Sequence, residues 1–191
     1  NLPYYHVISQ NKDFTFRPTI FDSDLKMFQN EFRVENLNSS GIVDFAYVDG
    51  YQSSLSDKKN SLSHIFAKFD VNLAWENFNQ SDLFVSLKKV SNDTYLKIFD
   101  GNIFRNDTTP TNYDVLNSEA RLIVNNNDFN FVAGFQSFED LKLSSSDRFQ
   151  FILPYYDFDK KIFNNFDKGT ISFSSNGSND LNNTNNLRTK I

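Results

Sequence analysis

Strict alternation of apolar and polar residues is the feature that most constrains the fold of this chain. In the clearest stretch, 62–75, nearly every second side chain is apolar and those between are mostly polar. Side chains that alternate with a period of two point to opposite faces of a β-strand. One face of this predicted strand holds Ile65, Ala67, Phe69, Val71, Leu73 and Trp75, and the other holds Lys68, Asp70 and Asn72.

The same alternation recurs along the chain and predicts an all-β antiparallel meander of about ten strands. Short polar turns are expected at 10–12, 22–24 and 125–127, and short links imply antiparallel neighbours. A long connection is expected at 91–114 and a mobile polar loop at 174–186. The predicted strands lie at 3–9, 14–20, 28–35, 43–47, 62–75, 83–88, 119–124, 129–136, 148–155 and around Ile171 and Phe173.

Strand length separates the two environments that can face the apolar sides of such strands. Strands of soluble sandwiches usually have about 5 or 6 residues, whereas a tilted membrane strand needs about 9 to 11. Several segments here belong to the longer class, and their charges fall mid-strand on one face. Phe occurs 22 times although mean hydropathy is −0.52, which suits elements that are apolar on one side, although an AT-rich genome explains part of this bias. The pattern favours a partial outer-membrane β-barrel, with a soluble sandwich as the alternative.

Charge and composition make other classes of protein poor fits. The formal net charge is −5 and no Lys/Arg cluster is larger than a pair, so the chain has no basic surface that would attract a phosphate backbone. Cysteine is absent, and no apolar run approaches the roughly 18 residues of a membrane-spanning helix. The chain begins at Asn1 without a signal peptide, so we expect it to be an internal fragment whose signal peptide lies upstream.

We predict no enzyme active site, no cofactor and no metal site. His6 and His64 are far apart in the sequence, and each is expected to be an ordinary strand residue. No nucleophile elbow is present, and the Asn- and Asp-containing stretch 176–180 lacks the glutamate that ends a calcium loop. Asp157 and Asp159 share a strand face, but solvated charge explains them better than a carboxylate pair.

In a barrel, the polar face of these strands lines a wet interior, and aromatic residues at strand ends lie at the membrane interfaces. A slip of one residue in 62–75 would place Lys68 in lipid at about 2 to 4 kcal/mol, so the register is well specified. The expected lumen-facing residues are Arg17, Glu31, Arg33, Lys68, Asp70, Glu119 and Arg121. The expected interface aromatics are Tyr4, Tyr47, Tyr51, Trp75, Tyr155 and Tyr156.

Several motifs resemble the LptD (OstA/Imp) family, which assembles lipopolysaccharide in the outer membrane. Residues 2–18 read Leu-Pro-Tyr-Tyr-His-Val-Ile-Ser-Gln-Asn-Lys-Asp-Phe-Thr-Phe-Arg-Pro, like the start of that family's barrel. Similar motifs follow in order at 30–33, 90–100, 134–138 and 148–154, although Asn92 interrupts a family Ser-Asp pair. The resemblance implies that residues 1–191 are the N-terminal portion of a large transmembrane barrel domain, without its periplasmic jelly-roll domain and later strands.

The resemblance also implies a lateral gate, where the first and last barrel strands part to release lipid. Proline cannot donate to a β-ladder, so Pro3 and Pro18 are expected to loosen this seam. If the first hairpin turns about Asn11, Pro3 lies opposite Thr19 and Pro18 opposite Tyr4. An edge strand that simply tolerates proline is the alternative explanation.

The implied role is transport without covalent chemistry, in the outer membrane of a Gram-negative bacterium. The implied partners are lipopolysaccharide, a lipoprotein plug like LptE, and the periplasmic Lpt bridge, reached through the missing N-terminal domain. A porin-like channel, recognisable by a charged loop folded into its lumen, and a soluble carbohydrate-binding β-sandwich are the alternative functions. If the first strand rises from the periplasm, the connection 91–114 falls at the periplasmic end, where turns are normally short.

Overall fold

A computed structural model describes residues 2–54, 58–143, 146–165 and 169–182, and it is built almost entirely from β-strands. One short helix, α1 (Tyr95–Ile98), and a single 3-10 turn (Ser146–Arg148) interrupt them. The strands are β1 (Tyr4–Ser9), β2 (Lys12–Ile20), β3 (Lys26–Asn36), β4 (Ser39–Gln52), β5 (Lys59–Asn72), β6 (Gln80–Val90), β7 (Val115–Asn126), β8 (Phe129–Asp140), β9 (Phe149–Asn165) and β10 (Gly169–Asn182).

All ten strands form one sheet in chain order, and every neighbouring pair is antiparallel. The predicted antiparallel meander of about ten strands is therefore confirmed. The sheet is open, with β1 and β10 at its edges, as expected for part of a barrel wall. Among the described residues, no helix is both long and apolar enough to cross a membrane.

Several predicted strand bounds differ from the observed ones; β9, for example, continues to Asn165 instead of ending at 155. β5 ends at Asn72, so 73–75 leave the strand, and Ala74 has a φ of 50°. The stretch 174–182, predicted as loop, belongs to β10, where Ser174 pairs with Asp159 and Asn176 with Asp157. Backbone pairing with β9 forms this strand although it has almost no apolar face, so alternation could not reveal it. Residues 183–186 of the predicted loop lie outside the described part of the chain.

The two faces of the sheet differ sharply, and we call the face that packs against the connection 91–114 the inner face. The opposite, outer face carries the apolar residues of the alternating pattern, and many of them are open to the surroundings: Phe45 is 43% exposed and Phe135 is 54% exposed. The run 65–71 alone extends the apolar band over about 20 Å of strand. On β3, β4, β6 and β8, charged outer-face residues occur only near one end of the sheet, at Lys26, Asp49, Lys89 and Glu139.

The buried cluster of the protein lies on the inner face, beneath the connection 91–114, which we call the strap. Tyr95, Leu96, Phe99 and Ile103 of the strap are at most 3% exposed. On the inner face they pack on Met27, Ala46, Val48, Leu62, Phe66 and Val90. The cluster also contains Leu116 and Leu141 at the strap end of the sheet, where Leu116 pairs with Glu139 and belongs by alternation to the outer face. Burial of each large apolar side chain contributes about 1.5–3 kcal/mol, so the strap is an integral part of the fold.

Glycines face aromatic rings at three cross-strand pairs: Gly41 with Phe69, Gly134 with Tyr155, and Gly177 with Tyr156. A Cβ added at Gly134 would lie 2.5 Å from the carbonyl oxygen of Ala120 and 2.7 Å from the Tyr155 hydroxyl. The missing side chain therefore makes room for the neighbouring ring, which shields the strand backbone in its place.

Candidate functional site on the inner face

The seven residues predicted to line a lumen all lie on the inner face. Glu31 pairs with Asp44, and Arg17 pairs with Gln29 of the same face. Lys68 and Glu119 flank Ser86 in one row across the sheet, and Asp70 and Arg121 flank Phe84 in the next. Because side chains alternate between the two faces of a strand, these pairings place all seven side chains on the same face of the sheet. Their contact with a cargo or a plug stays a prediction.

Three buried polar side chains fasten the strap to the sheet. The His64 Nδ1 atom lies 2.8 Å from the Tyr95 hydroxyl, and His64 Nε2 lies 3.2 Å from Asp44 Oδ1. All three residues are at most 2% exposed, and the second Asp44 oxygen has no hydrogen-bond partner among the described residues. Burial, followed by the charge of Asp44, raises the pKa of Tyr95, so its hydroxyl stays protonated at neutral pH.

Arg17 and Glu31 hold the far end of the strap. Arg17 donates from Nη2 to Gln29 and to the backbone carbonyl of Asn102, and its guanidinium lies 4.0 Å from the centre of the Phe104 ring. Asn106 donates to Glu31 Oε2 at 2.6 Å. Both predicted lumen residues are thus already occupied by the chain itself.

A groove of about 580 Å³ opens beside the strap, toward the β1 edge of the sheet. Arg33, Lys68 and Asp70 line its polar side, and Tyr5 and Val7 line an apolar side on β1. Arg33 pairs with Asp13 at 2.9 Å and with Glu31 at 3.4 Å, whereas Lys68 pairs with Asp70 at 3.5 Å. The groove therefore offers both charged and apolar contacts on one inner surface.

Glu119 and Arg121 form a second inner patch on β7. Glu119 accepts hydrogen bonds from the Tyr155 hydroxyl at 3.0 Å and from Gln136 at 3.3 Å, and it lies 3.6 Å from Arg121. The Arg121 guanidinium lies 5.4 Å from the Phe84 ring centre. Unlike Arg17 and Glu31, these residues make no recorded hydrogen bond to the strap in the described part of the chain.

A charge network near the sheet rim was not predicted. Glu139 is 6% exposed and accepts from Lys89 at 2.7 Å and from Arg148 at 2.8 Å, and Arg148 also reaches Asp93 of the strap at 2.7 Å. The network joins two remote stretches, 89–93 and 139–148, so no motif could indicate it. The buried part of the strap was detectable, because Tyr95, Leu96, Phe99 and Ile103 have helix-like apolar spacing.

The proposed gate prolines lie at the β1 edge, but their expected pairing is wrong. Tyr4 pairs with Phe16, not Pro18, because the turn occupies only residues 10–11 and the register shifts between Val7 and Ser9. Pro3 lies just before β1 instead of within it, and Pro18 pairs with Phe28 of β3.

The direction of each proline nitrogen follows from the hydrogen-bond alternation. Glu35 N donates to Asn11 O and Phe21 N to Leu25 O, so odd-numbered residues of β2 bond to β3. The nitrogen of Pro18 therefore faces the β1 side, just past the last β1–β2 pair. By the same alternation, the nitrogen of Pro3 faces the open edge.

Four of the six predicted interface aromatics avoid the inner face. Tyr4, Tyr47 and Tyr156 belong to the outer face by their pairing, and Trp75, beyond the end of β5, is 46% exposed. Tyr51 and Tyr155 were wrongly included, because Tyr51 packs against the inner cluster and Tyr155 bonds Glu119. A row of ring contacts near the short-turn end of the sheet joins Trp75, Phe78, Phe129, Phe158 and Phe173.

No group of three or more His, Asp or Glu residues in the described ranges could hold a metal ion. His6 lies on edge strand β1, and His64 is enclosed by Asp44 and Tyr95.

A scan against protein-family models finds no match for the chain, and a search of curated proteins finds no similar sequence. The LptD resemblance therefore stays a prediction.

Proposed function

We propose that this chain forms part of the wall of an outer-membrane β-barrel that inserts lipopolysaccharide into the outer leaflet. The barrel proposal rests on the exposure of the apolar face, which a water-soluble protein would normally bury. The strap covers part of the charged face of the sheet, whereas the apolar face is left open over many strands. Water would penalise such an apolar surface, while lipid accepts it without cost.

Charge distribution supports the same proposal. Outer-face charges on β3, β4, β6 and β8 lie only at one rim, so the apolar band between the rims can span the hydrocarbon layer. At a strand tilt of about 35–45°, the run 65–71, about 20 Å long, covers about 15 Å of membrane height, so flanking residues must supply the rest of the roughly 25 Å band of outer-membrane barrels. A soluble sandwich would need a second sheet on this face, and the described residues form one sheet.

A charge scan tests the membrane proposal directly. Leu87 lies on the outer face and is 41% exposed, whereas its neighbour Ser86 lies on the inner face between Lys68 and Glu119. In lipid, Leu87→Lys should lower the free energy of unfolding by about 2–4 kcal/mol, and Ser86→Lys should change it little. Equal, small effects in detergent-folded protein would refute a lipid-facing outer surface.

The lipopolysaccharide proposal rests on the family resemblance and gains support from the β1 edge. β1 has six residues, all exposed, and its pairing with β2 ends at Tyr4 and Phe16. Pro18 offers no donor to a continued β1–β2 ladder, and Pro3 offers none to a strand added at the open edge. Each proline therefore weakens a different ladder at the seam.

Export assays test the gate. Replacing Pro3 and Pro18 with alanine restores both donors, and we expect slower delivery of lipopolysaccharide to the cell surface together with stronger cross-linking across the seam. Leu2→Ala combined with Ile20→Ala is the matched control, because both residues are exposed at the same end of the β1–β2 edge and already have a backbone donor. Unchanged export and unchanged seam opening would remove the gate proposal while leaving the barrel proposal intact.

A porin-like channel is the second candidate, because the strap folds across the charged face as a constriction loop does. Its exposed Arg105 and Asp107 add charge to the inner surface. Steady ion conductance by the purified protein in planar bilayers, with normal lipopolysaccharide export in cells lacking it, would favour this function over transport of lipid.

The lengths of the connections predict which end of the sheet faces outward. One end of the sheet has the two-residue links 10–11, 37–38 and 127–128 and the seven-residue link 73–79, whereas the opposite end has links of five residues or more at 21–25, 53–58, 91–114 and 141–148. The LptD resemblance implies a periplasmic domain before β1 and hence a periplasmic strap end, whereas short turns, which are normally periplasmic, indicate an extracellular strap end. If turn length decides, the strap end is extracellular. Thr111→Cys should then react with a bulky maleimide on intact cells, and Leu37→Cys only after permeabilisation. The reverse result would support a first strand that rises from the periplasm.

A further inference from the structure

The strap consists of two parts that are held in different ways. Its root, 95–103, buries four large apolar side chains in the cluster on the inner face. The following part, 104–112, which we call the flap, contacts the sheet through polar groups: Arg17 against Phe104, and Glu31 with Asn106. Apolar burial makes the root a lasting part of the fold, whereas the flap buries only the smaller side chains of Thr108 and Pro110 and holds to β2 and β3 through Arg17 and Glu31.

The flap has a shape of its own. Asn106 Oδ1 accepts from the backbone and the hydroxyl of Thr108, at 2.9 and 2.6 Å, and the Thr109 hydroxyl donates to the Phe104 carbonyl at 2.8 Å. At its base, Asp100 accepts from both Arg105 and Tyr113, which closes the loop into a compact unit. Such closed loops, stabilised by their own side chains, can move as a body without unfolding.

We propose that 104–112 opens and closes as a unit over a fixed root, and that Arg17 is the residue that holds it shut. The guanidinium bridges the two parts, because it donates to Asn102 O in the root and stacks on Phe104 in the flap. When the flap lifts, Arg17 and Glu31 join Arg33 and Lys68 as one accessible inner surface. This inference depends only on the strap and not on the identity of the cargo.

Cysteine accessibility tests the proposal, because the chain contains no cysteine of its own. Thr108, in the flap, is 1% exposed, and Val48, beneath the root, is 0% exposed. We expect a charged methanethiosulfonate reagent to modify Thr108→Cys much faster than Val48→Cys in the folded protein. Fluorescence of Trp75 verifies that each variant remains folded.

The role of Arg17 is tested in the Thr108→Cys background. Lysine keeps the charge but loses the planar stacking and the forked donor, so Arg17→Lys should speed modification by about tenfold. Arg121→Lys, on the same face but away from the flap, is the matched control and should leave the rate unchanged.

Three results would overturn the proposal. If both cysteines are equally protected, the flap does not open. If both react equally fast, the whole strap moves and the two-part description fails. If Arg17→Lys behaves like Arg121→Lys, Arg17 does not hold the flap shut.

Discussion

Removal of one buried hydroxyl should measure how firmly the strap is fastened to the sheet. Tyr95→Phe keeps the ring, whose contacts with His64 and Phe99 have centroid distances of 5.3 and 5.1 Å. It removes only the hydroxyl that lies 2.8 Å from His64 Nδ1. That nitrogen is buried, so leaving it without a partner should cost about 1–3 kcal/mol.

Denaturant unfolding in detergent, followed by the fluorescence of Trp75, measures this change. The matched control is Tyr47→Phe, which removes a hydroxyl 2.8 Å from Ser61 Oγ at an exposed position. Water replaces that hydrogen bond, so the control should lie within about 0.5 kcal/mol of the original protein. Equal unfolding midpoints for the two variants would refute the idea that the buried contact fastens the strap.

Two further predictions concern packing and pH. Gly134→Ala should lower the free energy of unfolding by about 1–3 kcal/mol, because the new methyl group would clash with the Ala120 carbonyl oxygen and the Tyr155 ring. Gly101→Ala is the control: the space around Gly101 is open, so the same assay should show almost no change. Hydrogen bonds from Lys142 and, to a smaller extent, from Lys97 lower the pKa of Asp114 from its ordinary value of 3.8. The ionised carboxylate therefore stabilises the fold at pH values above 3.8, and this stabilisation is lost as the pH falls through the lowered pKa. Acid unfolding of Asp114→Asn should therefore lack this component, and an unchanged pH profile would contradict the assignment.

Much of the sheet could be predicted because its information is local. Apolar side chains at every second position, as at Ile65, Ala67 and Phe69, indicate a two-faced strand whatever its neighbours are. Short polar links between such segments then leave an antiparallel meander as the simplest arrangement. The second half of β10 escaped prediction because residues 174–182 have almost no apolar face, and pairing with β9 supplies what their side chains do not.

The candidate site depended on contacts between distant parts of the chain. The sequence alone placed Arg17 and Glu31 on a polar face, but nothing local predicted that Asn102, Phe104 and Asn106 would occupy them. Likewise, the pairing of Tyr4 with Phe16 depends on a register shift that alternation does not encode.

The alternating sequence by itself determined that this protein has one face for apolar surroundings and one for charge, because each residue's side in a strand is set by its position. Only the tertiary structure decided that part of the charged face is covered, and by which segment. A connection of 24 residues, 91–114, folds back and buries Tyr95, Leu96 and Phe99 there, and such long-range burial depends on where two remote segments meet.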